Sequence, residues 1–114
     1  MPTRIESTFA ALKGKGRTAF MPFVTCGDPD METTLALIGE LSRRGVDLIE
    51  VGFPYSDPIA DGPVIQASYT RALSKHLRVA DIFAGISSLR AVEGMPPLVA
   101  MVSYAIIFRT GTGE

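Results

Sequence analysis

Glu50 lies within Asp47-Leu48-Ile49-Glu50-Val51-Gly52, a run that is otherwise apolar and β-prone beyond its first residue. Side chains alternate across a strand, so Glu50 lies opposite Ile49 and Val51. In a sheet covered on both faces either direction is largely buried. An unpaired carboxylate there is costly, and its pKa is expected to rise unless a partner is present. A carboxyl that titrates near neutrality suits general acid or base work. The alternative is a glutamate at a frayed strand end, solvated or paired with an arginine. Perturbed carboxylates cluster at sites but structural pairs also occur, so the strand pattern leaves both readings open.

Asp61 follows in Ser56-Asp57-Pro58-Ile59-Ala60-Asp61-Gly62-Pro63, a loop beyond the C-terminal end of the same strand. Parallel α/β folds gather their ligand sites on that side. Taken alone, an aspartate before Gly-Pro reads more readily as a helix cap or turn former, and Asp57 before Pro58 has the same alternative. Other candidates are weaker. Gly14-Lys15-Gly16 and Gly111-Thr112-Gly113 lack the spacing of a phosphate-binding loop. His76, between Lys75 and Arg78 in an expected loop, reads as solvated. Cys26 next to a helix start reads as a small space-filling residue rather than a reactive thiol. One histidine and one cysteine make a metal site, an internal disulfide or a Ser-His triad unexpected.

The elements that position these residues follow from periodicity. Thr3 to Glu6 is a capping box that opens a helix carrying Ile5, Phe9 and Leu12. Ala19 to Thr25 reads as a first strand, with Pro22 removing one donor. Cys26-Gly27-Asp28-Pro29 reads as a strand-to-helix turn with Asp28 as cap and Pro29 at the first helical position. Met31, Leu35, Ile38 and Leu41 form the stripe of the next helix, stopped by Arg43-Arg44-Gly45. Val46 to Gly52 is the second strand, and Val64 to Leu73 a short helix. Val79, Ile82, Phe83, Ile86 and Leu89 mark another helix, ending near Gly94. Leu98 to Val102 is the third strand, with Ala105 to Phe108 extending the apolar stretch. Alternating strands and helices imply a parallel sheet. The segment from Arg109 reads as a loop with no covering helix after it, as in a fold cut off partway.

Apolar residues are 46% and charged residues 20% of 114, a globular composition of single-domain size. A net charge of -1 excludes the electrostatic footprint of a nucleic-acid or anionic-membrane binder. No apolar run is long enough to span a bilayer, and the first twenty residues carry charges where a signal peptide needs an apolar core. Cytoplasmic placement is the expectation, in keeping with the lone cysteine.

Pro22-Phe23-Val24-Thr25-Cys26-Gly27-Asp28-Pro29 together with Ile49-Glu50-Val51-Gly52-Phe53-Pro54-Tyr55-Ser56-Asp57-Pro58-Ile59-Ala60-Asp61-Gly62-Pro63-Val64-Ile65-Gln66 resembles the α subunit of tryptophan synthase. The second block is long and contiguous, unlike a lone short motif. The resemblance covers nearly the whole chain, yet only the N-terminal part of that family's (β/α)₈ barrel, which needs about 250 residues. It implies one partial barrel domain over residues 1–114. It also implies a lyase of tryptophan biosynthesis that cleaves indole-3-glycerol phosphate to indole and glyceraldehyde 3-phosphate. Glu50 matches the family's principal acid/base, Asp61 the carboxylate at the indole nitrogen, and Phe23 a wall of the indole pocket. Pro54, Tyr55, Ser56, Asp57 and Pro58 match a loop that contacts the β subunit. That partner holds the pyridoxal phosphate, and the α subunit uses no cofactor or metal.

This sequence departs from the family where a Tyr-Asn-Pro run is replaced by Tyr104-Ala105-Ile106. The late phosphate-binding loops and the fourth to eighth strands have no counterpart in it, so these residues alone are expected to be inactive. A non-catalytic module that binds the β subunit, or a small α/β domain with an unrelated ligand, are the alternatives. Intact Glu50 and Asp61 argue against the module, which needs neither.

Overall fold

β1 (Phe23–Thr25), β2 (Ile49–Gly52) and β3 (Leu98–Met101) form one parallel sheet in that order. They belong to a computed structural model that describes residues 2–110. Five helices accompany them: α1 (Arg4–Gly14), α2 (Met31–Arg43), α3 (Pro63–Leu73), α4 (Val79–Arg90) and α5 (Tyr104–Thr110). The alternation of strand and helix thus gives the expected partial barrel sheet, with β2 in the middle.

Register fixes the two faces. Phe23, Glu50 and Val99 are Cα partners across the sheet, and so are Val24, Val51 and Ala100. Ile49, Val51 and Val24 are buried in a cluster with Ile38 of α2 and Ile82 and Leu89 of α4. Strand alternation then turns Phe23, Glu50, Gly52 and Val99 to the opposite face. Burial of the aliphatic side chains against α2 and α4 is the main favourable term, about 25 cal/mol for each Å² of apolar surface removed from water. Cys26 is fully buried in the same cluster, and burial pushes its thiol up to about 11. The residue is a packing element, as its sequence context implies.

Local signals work largely as read. Thr3 and Glu6 close the capping box of α1 reciprocally, at 3.1 and 2.7 Å. Arg44 and Gly45 end α2, with Gly45 at φ +83°. α3 begins and ends close to its expected limits, and α4 begins at Val79 as expected but ends at Arg90, ahead of the expected stop near Gly94. His76 lies in the turn after α3, exposed and at φ +57°.

Other readings are corrected. β1 is only three residues long because the segment before it bonds irregularly. The Phe20 amide donates to the Asp47 carboxylate at 2.8 Å, and Pro22 offers only its carbonyl, to the Glu50 amide. β2 likewise starts at Ile49 rather than Val46. Asp28 does not cap α2. Asp30 does, accepting from the Thr33 amide at 2.7 Å, while Asp28 takes a two-pronged bond from Arg71 at 2.9 Å on each oxygen. After β3 the chain turns helical instead of continuing extended. Ser103 sets that start: its hydroxyl accepts from the Ala105 amide at 3.2 Å and its carbonyl from the Ile106 amide at 3.0 Å. The helix so formed seats Ile106 in the core. Gly111-Thr112-Gly113 lies outside the described residues.

Candidate active site

The site is built where β2 ends. Glu50 is half-buried on the sheet face turned away from α2 and α4, between its Cα partners Phe23 and Val99. Gly52, two residues on, shares that face and is closely covered. A Cβ there would meet the Phe23 ring, with Cε2 at 2.8 Å, and the Tyr69 hydroxyl at 3.3 Å. Only glycine lets the aromatic ring and the phenol approach the strand so closely. α3 is tied over this end of the sheet by a buried hydroxyl pair, Thr25 Oγ1 and Ser68 Oγ, at 2.7 Å. Ser68 also donates to the Ile65 carbonyl at 2.7 Å.

The loop between β2 and α3 carries Asp61. Its conformation is clamped from α3 by Gln66, whose amide Nε2 donates to the Asp61 carbonyl at 2.6 Å and the Pro58 carbonyl at 3.2 Å. The Asp61 amide closes a turn on the Pro58 carbonyl at 3.3 Å. The capping role that the sequence suggests for Asp61 is not taken up. Gly62 is the N-cap of α3, with no side-chain bond to the helix, and Pro63 occupies its first turn. Asp61 is left half-buried with its carboxylate outside any ion pair among the described residues. The same holds for Glu50, so the arginine partner considered for it is not there.

A cleft of about 330 Å³ opens beside this loop, lined by Phe53, Tyr55, Asp57, Asp61, Tyr69 and Met101 among others. The structure therefore brings Asp61 together with Tyr55, Asp57 and Pro58 on one cleft, and sets Phe23 beside Glu50 on adjacent strands. Pro54, Tyr55 and Ser56 line a second hollow of about 280 Å³ toward Leu77, Val79 and Ile106, on the other side of the loop. Ile59 stands 84% exposed at the loop's crest. Tyr69 and Gln66 are the contributors that sequence reasoning missed as site residues. Tyr69 falls three positions after Gln66 on α3, a helical spacing that turns both toward the same loop. Burial first, then the carboxylates of Asp61 and Glu50, then Cys26, hold the Tyr69 phenol above its ordinary range, so both acids lie within electrostatic reach of it. Among the described residues no three His, Cys, Asp or Glu side chains gather as a metal site.

A family model described as the tryptophan synthase alpha chain matches residues 9–114. The chain belongs to the tryptophan synthase alpha chain family. The alpha chain of Rhodopirellula baltica is 52% identical over 115 residues, a stretch covering 98% of this chain and 41% of that relative. The alpha chain of Thermoanaerobacter sp. is 48% identical over 95% of this chain and 41% of its own. Among solved structures, tryptophan synthase subunit alpha from Legionella pneumophila superposes with a TM-score of 0.91 at 33% identity, over 97% of this chain and 42% of that one. Tryptophan synthase from M. tuberculosis, in an open form, gives 0.89 at 30% identity. This alpha-chain sequence thus spans about two-fifths of the length of the relatives it matches, and its three strands are part of the family's TIM barrel.

Proposed function

We propose that Glu50 and Asp61 are the working carboxylates of a retro-aldol cleavage in which indole-3-glycerol phosphate yields indole and glyceraldehyde 3-phosphate. The observation that carries this reading is the placement of the two acids at one end of a parallel sheet. Both are half-buried, neither has an ion-pair partner among the described residues, and aromatic side chains lie beside them. Protonation of indole C3 by Glu50 makes a cationic indolenine whose ring N–H rests against the Asp61 carboxylate. Glu50, now ionised, takes the proton from the adjacent glycerol hydroxyl. The C–C bond breaks as the aldehyde forms, and its electron pair restores the aromatic indole. One carboxyl thus gives and regains a single proton. Phe23 walls the ring side.

The exposed loop around Ser56, Asp57 and Ile59 supports docking of a β subunit on the rim of this site, and pyridoxal phosphate chemistry belongs to that partner. The cytoplasm is the compartment we assign, consistent with a buried, unpaired Cys26.

The test uses the full-length protein. Glu50→Gln keeps the shape and removes the titrating group, so indole release should fall by about 10²–10⁴-fold. Asp61→Asn should cost about 10²–10³-fold. Neither should move the unfolding midpoint by more than a surface substitution does, since Asp61 does not cap α3. Turnover that survives Glu50→Gln would remove the acid/base assignment.

A further inference from the structure

Tyr69 has three properties that packing alone does not require. Its ring is 4% exposed, wedged between α3 and the end of β2. Its hydroxyl meets no hydrogen-bond partner among the described residues, although no fully buried side-chain oxygen or nitrogen in that set lacks one. The oxygen therefore reaches the cleft that Tyr69 lines together with Asp61 and Ser103. It lies on the Glu50 face of the sheet, 3.3 Å from where a Gly52 Cβ would stand. A buried aromatic that presents a bare O–H to a cleft is a phenylalanine with a polar tip added, and the tip asks for an acceptor.

We propose that Tyr69 is a specificity-determining residue of this site, donating its phenol hydrogen to a side-chain hydroxyl oxygen of the indole substrate. The inference rests on the retro-aldol reading above. Once Glu50 has given its proton to the ring, both flanking carboxylates are acceptors only, so they can take a proton from that hydroxyl but cannot donate to its oxygen. A neutral phenol supplies the missing donor. The neighbouring Asp61 and Glu50 charges, added to burial, keep it protonated across the physiological range. Its hydrogen bond holds the hydroxyl with its own proton toward Glu50 and rejects ligands that lack the oxygen, because an unmet buried donor is costly.

The experiment uses the full-length protein. Binding is compared for indole-3-glycerol phosphate and indole-3-propyl phosphate, which lacks the hydroxyls, on the Glu50→Gln background where no turnover intervenes. Tyr69→Phe should weaken the first ligand by about five- to tenfold, the worth of one neutral hydrogen bond, and leave the second within twofold. On the Glu50 background kcat/KM should fall by at least the same factor. Equal weakening of both ligands would assign Tyr69 to packing, and no weakening of either would overturn the proposal outright. Should Tyr69→Phe fold poorly, 3-fluorotyrosine at position 69 keeps the shape with a more acidic phenol. It should lower the pH at which hydroxyl discrimination disappears, and an unmoved limit would count against the proposal. A protein with Tyr69 intact that neither binds nor cleaves indole-3-glycerol phosphate refutes the retro-aldol reading and this inference together. Silence of Tyr69→Phe in an active protein refutes this inference alone.

Discussion

Asp28 illustrates how one residue type can serve different physics at neighbouring positions. It precedes Pro29 in a turn where an aspartate cap is expected, yet Asp30 takes the cap and Asp28 pairs with Arg71 across 43 residues of sequence. The Arg71 guanidinium holds the Asp28 carboxyl below its ordinary value of 3.8, with Lys75 adding a smaller pull in the same direction. A carboxyl lowered in the folded state contributes stability that is complete above 3.8 and is lost as pH falls through the folded value. Arg71 is largely exposed, so solvent screening keeps the contribution of the pair small. Arg71→Gln should therefore lower stability slightly at pH 7. The gap from the parent protein should close as denaturation is repeated below about pH 4. A gap that stays constant with acid would mean that Arg71 acts through packing.

At the scale of elements, the β2–α3 loop and α3 form one device. Gln66 clamps the turn from Pro58 to Asp61, Ser68 ties α3 to β1, and Tyr69 covers the end of β2. Gly52 makes the close cover possible, since a methyl group there would collide with the Phe23 ring and press on the Tyr69 hydroxyl. Gly52→Ala should thus cost about 1–3 kcal/mol through overpacking and should lower indole release by displacing both side chains. Equilibrium unfolding with a parallel activity assay checks this, and an unchanged midpoint would show that the rings yield freely. α5 is the element whose type sequence periodicity misjudged. Ala105 to Phe108 is short and apolar, a pattern that does not separate a buried strand from a helix turn, and the Ser103 start signal decides the outcome.

For the molecule as a whole, the sheet has β2 at its centre and two edge strands among the described residues. Met101 at the end of β3 is 45% exposed, and Phe20 ahead of β1 is 61% exposed. In the relatives, the part matched by this chain is about two-fifths of their length. A polypeptide of these 114 residues alone should release no indole and should self-associate through its sheet edges and apolar surface. Sedimentation of that polypeptide, with an assay of the same sample, is the check. A monomer turning over at ordinary enzyme rates of about 1–10³ s⁻¹ would refute the argument.

What the sequence determined by itself was the order of elements, the parallel α/β class, the helix stops and the Glu50-to-Asp61 block. Each of these depends on interactions within a few residues: the 2.0 and 3.6 periods, a capping box at Thr3-Glu6, a left-handed glycine after Arg44. Tertiary structure alone decided which alternatives those residues took. The carboxylate of Asp61 is free because Gly62 and Pro63 start α3 without it. Glu50 has no arginine partner among the described residues, while Arg71 pairs with Asp28 and Arg78 with Asp81. Tyr69, unremarkable in sequence, joins the site because packing of α3 over Gly52 brings its hydroxyl to the cleft. Such contacts join residues far apart in the chain, and local propensity carries no information about which distant partner a charged or aromatic side chain will meet.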